Sequence, residues 1–243
     1  MSAPLPAVAN RYRGVWQRTL YAEPATSPYQ QADTISRVFW LQGQYWHADL
    51  RLPATLPDFS GITCLTSCDH AQLEWLASLS AFAGITQIEG ELCTWHRYQD
   101  LCPGLERDVG LLRWIDDDTL EERHPTGRYV EHWQRLTSDI PKETVRTDER
   151  GQLCWLQLGN YAMAITPRPA NIRADTLFTP LNRLADETLR WRASLCFDFL
   201  QRTQAGWQVV LSTQPWREGW KYDNGINLPH PSRVIQASLR NPQ

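Results

Sequence analysis

The sequence predicts a mainly β protein: two tandem antiparallel β-barrels produced by an internal duplication, each with one helix. Three observations lead there: segments that recur in order, short strand-forming runs at regular spacing, and one amphipathic stretch in each half. Val38-Phe-Trp-Leu-Gln-Gly-Gln-Tyr45 is echoed by Leu153-Cys-Trp-Leu-Gln-Leu-Gly-Asn-Tyr161 with one inserted residue. Glu91-Leu-Cys-Thr-Trp95 has a counterpart in Ser194-Leu-Cys-Phe-Asp198, and Glu131-His-Trp133 has one in Glu218-Gly-Trp220. Matches that keep their order are the mark of duplicated units. The offset falls from 115 (Trp40 to Trp155) to 103 (Cys93 to Cys196) to 87 (Trp133 to Trp220), as shorter loops in the second copy would give.

Each element has its own justification. Runs rich in Trp, Tyr, Phe, Val and Ile, such as Val109-Gly-Leu-Leu-Arg-Trp-Ile115 and Gly206-Trp-Gln-Val-Val-Leu-Ser-Thr213, read as strands between Gly, Pro, Asp and Asn clusters. Asp116-Asp-Asp-Thr119 and Pro125-Thr-Gly127 read as consecutive hairpin turns, hence an antiparallel meander. The first helix starts at Asp69, an N-cap that Gln72 completes as a capping box, and closes at Gly84. Its apolar stripe is Leu73, Leu76, Leu79 and Phe82. In the second half Thr179 precedes Pro180, with Leu181 and Leu184 on one face. The polar stretch Thr137 to Arg150 separates a first barrel over 1–138 from a second over 145–243. Closure of such meanders into barrels removes their exposed edges. Trp16, Trp40, Trp155 and Trp220 read as core, and Trp46, Trp95 and Trp207 as candidates for a pocket wall.

Composition narrows the function classes. With 24 Lys+Arg against 27 Asp+Glu and a net charge of -3, the chain lacks the basic excess that phosphate backbones select, which argues against a nucleic-acid partner. No apolar run reaches membrane-spanning length, and the N-terminal residues lack a positive lead before an apolar stretch, so a cytoplasmic protein with no membrane partner is expected. The 6 cysteines then read as reduced thiols rather than a disulfide framework. Cys64-x3-Cys68 with His70, and Cys93-x2-His96-x5-Cys102, lack the paired short spacings of structural zinc sites, so no metal is expected. Cys102-Pro103 matches the short motif of some haem-responsive proteins over two residues only, and the cofactor is left unspecified.

The opening Arg11-Tyr-Arg-Gly-Val-Trp16, the Trp-Leu-Gln strand running into Tyr45-Trp-His-Ala-Asp-Leu-Arg-Leu-Pro53, and the later Tyr129-x-Glu-x-Trp133 resemble lipocalin-like, calycin-type barrels. The tandem form resembles a group of fungal and bacterial double-barrel proteins of unassigned function. The resemblance implies a barrel with a ligand-sized interior. It implies no catalytic residues.

The two copies differ in chemistry. Aligning Tyr45 with Tyr161 sets His47 and Asp49 against Met163 and Ile165, with Arg51 continuing the row; Thr94 and His96 fall against Phe197 and Phe199, with Tyr98 continuing that row. If these faces point inward, the first barrel has a polar cavity. Simple alternation makes the opposite choice for the first row, turning Trp46, Ala48, Leu50 and Leu52 inward and leaving His47, Asp49 and Arg51 to solvent.

A cavity holding Arg51, Thr94, His96, Tyr98, Trp46 and Glu131 suits a small, partly apolar ligand with an acidic group for Arg51. A second reading is a non-covalent lyase or isomerase, with His47, His96 and Asp49 as candidate acid–base groups, since histidine titrates near neutrality. The third is a protein–protein interaction module without a pocket. No G-x-S-x-G, Walker loop or G-x-G-x-x-G is present, and covalent catalysis has no support.

Overall fold

Alternation along the first half of the chain closes a barrel. The computed structural model describes residues 6–137, 140–169 and 174–222. Its first sheet holds β1 (Gly14–Glu23), β2 (Gln31–Asp33), β3 (Arg37–Gln42), β4 (Trp46–Leu52), β5 (Ser80–Glu89), β6 (Leu92–Asp100), β7 (Asp108–Trp114), β8 (Thr119–Arg123) and β9 (Val130–Arg135). All neighbours are antiparallel, and β1 pairs with both β3 and β9, so eight strands close on themselves while β2 extends the end of β1. This closed eight-stranded meander agrees with a calycin-like barrel.

The barrel interior is filled at one end by indoles. Trp40 stacks on Trp16 at 5.8 Å between ring centroids and meets Trp133 and Trp95 edge-on at 5.6 and 5.9 Å. Trp16 donates Nε1–H to the Tyr12 carbonyl at 3.0 Å, and the Arg135 guanidinium lies 4.3 Å from the centre of its ring. Geometry of this kind adds about 0.5–1.5 kcal/mol per pair beyond area burial.

The described residues of the second half form an open sheet. Strands β10 (Glu143–Thr147), β11 (Leu153–Leu158), β12 (Tyr161–Thr166), β13 (Cys196–Thr203), β14 (Gly206–Ser212) and β15 (Lys221–Tyr222) make one six-stranded antiparallel sheet with β10 and β15 as its edges. Among the described residues no pairing joins those edges, so these residues form one closed barrel and one open sheet, and the expected second barrel is not confirmed. The open sheet covers its apolar face with the outer wall of the barrel. Leu41, Leu50 and Leu52 of the barrel share one buried cluster with Leu156, Met163, Ile165 and Phe199 of the second sheet, and Phe39 stacks on Phe199 at 4.2 Å.

Two helices that touch each other, His70 of one bonded to Asp186 of the other at 2.6 Å, pack on that shared core. Helix α1 (His70–Ser78) joins β4 to β5, and α2 (Asp186–Arg192) joins β12 to β13. The capping box is present: Asp69 accepts from the Gln72 amide at 2.8 Å, and the Gln72 side chain accepts from the Asp69 amide at 2.9 Å. Leu73 and Leu76 are buried as expected.

The helix is shorter than the stripe suggests, ending at Ser78, and Phe82 and Gly84 belong to β5. Gly84 serves a β-bulge there, not a helix end. A Cβ on it would lie 1.8 Å from the His96 carbonyl oxygen. In the second half Pro180 opens only a 3₁₀ turn, Leu181–Arg183, and the α-helix starts at Asp186. Trp16, Trp40 and Trp155 are core, but Trp220 is 46% exposed in a turn, whereas Trp133 lies in β9; that pair of matched segments occupies different elements. Among the described residues no helix is long and apolar enough to cross a membrane.

Candidate functional site at the mouth of the barrel

On β4 both faces are buried. Ala48, Leu50 and Leu52 point outward into the core shared with the second sheet, and His47, Asp49 and Arg51 point into the barrel. On a half-buried strand the apolar face lines the barrel and the polar face meets water. Here a second layer covers the outside, so the apolar row goes there and the polar row is enclosed.

The enclosed polar row is organised around Arg51. Its Nε donates to Asp49 Oδ1 at 2.9 Å and its Nη1 to Glu131 Oε1 at 2.9 Å, with Nη2 3.3 Å from Asp49 Oδ2. Glu131 also accepts from Arg18 Nη1 at 2.7 Å, while its Oε2 is buried without a partner. Directly across the β8–β9 ladder from Glu131 is Glu122, whose oxygens accept from Tyr129 Oη at 3.2 Å and Trp133 Nε1 at 3.1 Å. Burial, and then the neighbouring Glu131, hold the Glu122 carboxyl well above the usual carboxylate range. Asp49 is pushed up as well, because burial outweighs the pull of Arg51.

A second pinned guanidinium comes from β6. Trp95 packs inside with the indole cluster, so Arg97, two residues on, shares its face. Arg97 donates Nε and Nη2 to Asp108 Oδ2 at 2.9 and 2.6 Å and Nη1 to Asp100 Oδ2 at 3.1 Å, with its Cζ 3.4 Å from the centre of the Phe82 ring. A guanidinium carries five N–H groups, so three such bonds leave two unspent on each of Arg51 and Arg97. Both side chains reach a cleft of about 480 Å³, whose walls also include Tyr21, Arg128 and Tyr129 and the carboxylates Glu23, Asp108 and Glu131. Tyr21 and Tyr129 stack at 5.7 Å, and Tyr21 is hydrogen-bonded to Glu23. Burial, with that hydrogen bond, pushes the Tyr21 phenol up to about 12.

The expected site residues divide into two groups. Asp49, Arg51 and Glu131 converge inside the barrel. Thr94 and His96 alternate with the inward Cys93 and Trp95, so they stand on the outer face of β6. Tyr98 is 57% exposed and meets Trp46 edge-on at 6.3 Å, also outside the barrel. The expectation of one cavity holding all of them is therefore corrected. Thr94, His96 and Tyr98 instead line an adjoining cleft of about 500 Å³, formed where β6 parts from β7 beyond the Trp95–Asp108 pair. The two clefts share Arg97, Asp108 and Arg128. Of the candidate wall tryptophans, Trp95 borders this cleft, Trp46 packs against the outer core and Trp207 lies in the second sheet.

His47 is fully buried and has a different role from a catalytic base. The Thr86 hydroxyl donates to Gln42 Oε1 at 2.7 Å, so it accepts from His47 Nδ1, 3.0 Å away, and that bond assigns the neutral tautomer with Nε2 bare. Burial, reinforced by the positive charge of Arg97, pulls the imidazole down to about 3. Nε2 has no partner and no surface contact, so a ligand in the cleft does not reach it.

Sequence reasoning missed Arg18, Arg97, Asp108 and Glu122. Two of them were within its reach: Arg97 follows Trp95, and Glu122 follows the inward Leu120, by the two-residue period of a strand. Among the described residues no group of three or more His, Cys, Asp or Glu is placed to hold a metal ion. No family model, curated protein or solved structure matches this chain.

Proposed function

We propose that this protein binds a small acidic molecule with a flat, partly apolar body in the mouth of its barrel. The observation that carries the reading is the pair Arg51 and Arg97, each fixed by two carboxylates, each lining the cleft and each with N–H groups beyond those bonds. Preorganised donors lose little entropy on binding, and charge-assisted bonds to a carboxylate are the stronger kind. The stacked Tyr21 and Tyr129 supply the apolar wall.

Native mass spectrometry with an absorption scan tests for a retained ligand. Titration with 4-hydroxybenzoate, followed by tryptophan fluorescence, tests the class. Saturable binding that weakens about tenfold in Arg97→Lys supports the proposal, as expected for one lost charge-assisted bond. Equal binding of the uncharged 4-hydroxybenzamide overturns it.

A second reading, a non-covalent lyase or isomerase in the same cleft, draws on the Glu131 carboxyl that lines it rather than on histidine. Its mark is incorporation of solvent deuterium into a bound acid, lost in Glu131→Gln. An interaction module without a pocket is what failure of both tests leaves.

The closed barrel supports a calycin-type assignment. The recurring order hairpin, helix, hairpin, as β3-β4-α1-β5-β6 and β11-β12-α2-β13-β14, supports an internal duplication. The six cysteines are all free, which supports a reducing compartment such as the cytoplasm.

A further inference from the structure

Between β4 and α1 the chain makes a 3₁₀ turn, Leu65–Ser67, flanked by Cys64 and Cys68. Cys64 is the one exposed cysteine of the six. Its Sγ has the Thr66 hydroxyl at 3.0 Å and the Ser67 hydroxyl at 3.3 Å. The turn folds back through Ser67 N–H to the Cys64 carbonyl at 3.1 Å, and this brings the Cys68 Sγ to 3.7 Å from the same carbonyl oxygen. A carbonyl oxygen lies about 2.4 Å from its own Cα, so the Cys68 sulfur is within about 6 Å of the Cys64 Cα, a separation that side-chain rotation can close.

We propose that Cys64 and Cys68 form a peroxide-reactive dithiol, with Cys64 as the attacking sulfur and Cys68 as the resolving one. In the first step the Cys64 thiolate attacks one oxygen of hydrogen peroxide. The S–O bond forms, the O–O bond breaks, and hydroxide leaves to be protonated to water; sulfur loses two electrons and the peroxide gains them. In the second step Cys68 gives up its proton and its sulfur attacks Cys64. The S–S bond forms, the S–O bond breaks, and a second water leaves. The balance is two thiols and one peroxide to one disulfide and two waters.

The surroundings divide the roles. The two hydroxyls pull the Cys64 thiol down to about 7, while burial pushes Cys68 up to about 11, so thiolate accumulates on the exposed sulfur. Burial likewise raises Cys93, Cys154 and Cys196. The site lies apart from the barrel mouth and does not depend on the ligand proposed for it.

The test treats the whole protein with an equimolar amount of hydrogen peroxide at pH 7 and reads intact mass and peptide maps. The expected result is a loss of two hydrogens mapped to a Cys64–Cys68 link, absent in Cys64→Ser. In Cys68→Ala the product is a Cys64 sulfenic acid that dimedone traps. Iodoacetamide should alkylate Cys64 about fivefold faster than glutathione at pH 7. Alkylation no faster than glutathione, no loss of two hydrogens in the wild type, the same loss in Cys64→Ser, or a covalent dimer through Cys64 overturns the proposal.

Discussion

Arg51 shows how far the setting of a residue changes its worth. An exposed Arg–Asp pair contributes about 0–1 kcal/mol, but here the guanidinium holds two carboxylates that are at most 3% exposed. Arg51→Ala leaves Asp49 and Glu131 buried with less compensation and should cost about 3–5 kcal/mol in urea unfolding. Arg51→Lys should recover much of that stability while losing the bidentate geometry, and ligand titration separates the two effects. His47 makes a prediction with a definite sign. Its imidazole titrates at about 3 in the native state and near 6.5 when unfolded, so below pH 6.5 the unfolded chain binds the extra proton. Its contribution to stability is complete above pH 6.5 and falls toward pH 3 by up to about 1.4 kcal/mol per pH unit. Asp49 and Glu122 act in the opposite direction, because their raised carboxyls favour the native state as acid is added. The measurement is therefore the difference in denaturant midpoint against pH between wild type and His47→Gln. Parallel curves would sink the assignment.

At the scale of the element, the β-bulge between β5 and β6 leaves no room beside Gly84, where a Cβ would strike the His96 and Tyr98 backbones. Gly84→Ala should destabilise by about 3 kcal/mol or more, read as a lowered thermal midpoint; an unchanged midpoint would refute the bulge. Register explains why the fold was legible in the sequence and the site less so. Trp40-Leu-Gln42 and Trp155-Leu-Gln157 do occupy matching hairpins: Trp40 pairs with Asp49 and Trp155 with Ala164. Aligning Tyr45 with Tyr161 instead shifts the frame by one residue, and such a slip exchanges the two faces of a strand. In the hydrogen-bonded frame His47 and Asp49 answer to Ala162 and Ala164, so the polar row replaces small apolar residues, not Met163 and Ile165. Cys93 and Cys196 also mislead, since Cys93 lies in β6 while Cys196 opens β13, the strand that follows α2 as β5 follows α1. Turns and caps are local and could be read directly. Which face is enclosed depends on a layer more than 100 residues away, and no local pattern carries that.

At the scale of the whole molecule, the barrel and the open sheet share one core and several polar ties. Glu143 of β10 accepts from Arg13 at 3.1 Å and from the Gln44 amide at 2.8 Å, and Arg37 pairs with Glu218 at 3.0 Å. Leu50→Ala should cost about 3–4 kcal/mol and lower the unfolding of both parts together, as one transition by far-UV and near-UV circular dichroism. Two separated transitions would show that the sheets fold independently. A wall buried on both sides also governs how the sequence can vary. In an ordinary barrel every second residue of a strand faces water and drifts freely. In β4 five of the seven positions, His47 through Leu50 and Leu52, are fully enclosed, and the remaining two, Trp46 and Arg51, are partly so. Natural variation and random mutagenesis should therefore spare β4 along its entire length, and with it the Ala81–Gly84 run of β5, without the two-residue rhythm of tolerance expected of β8, where buried and half-buried positions alternate.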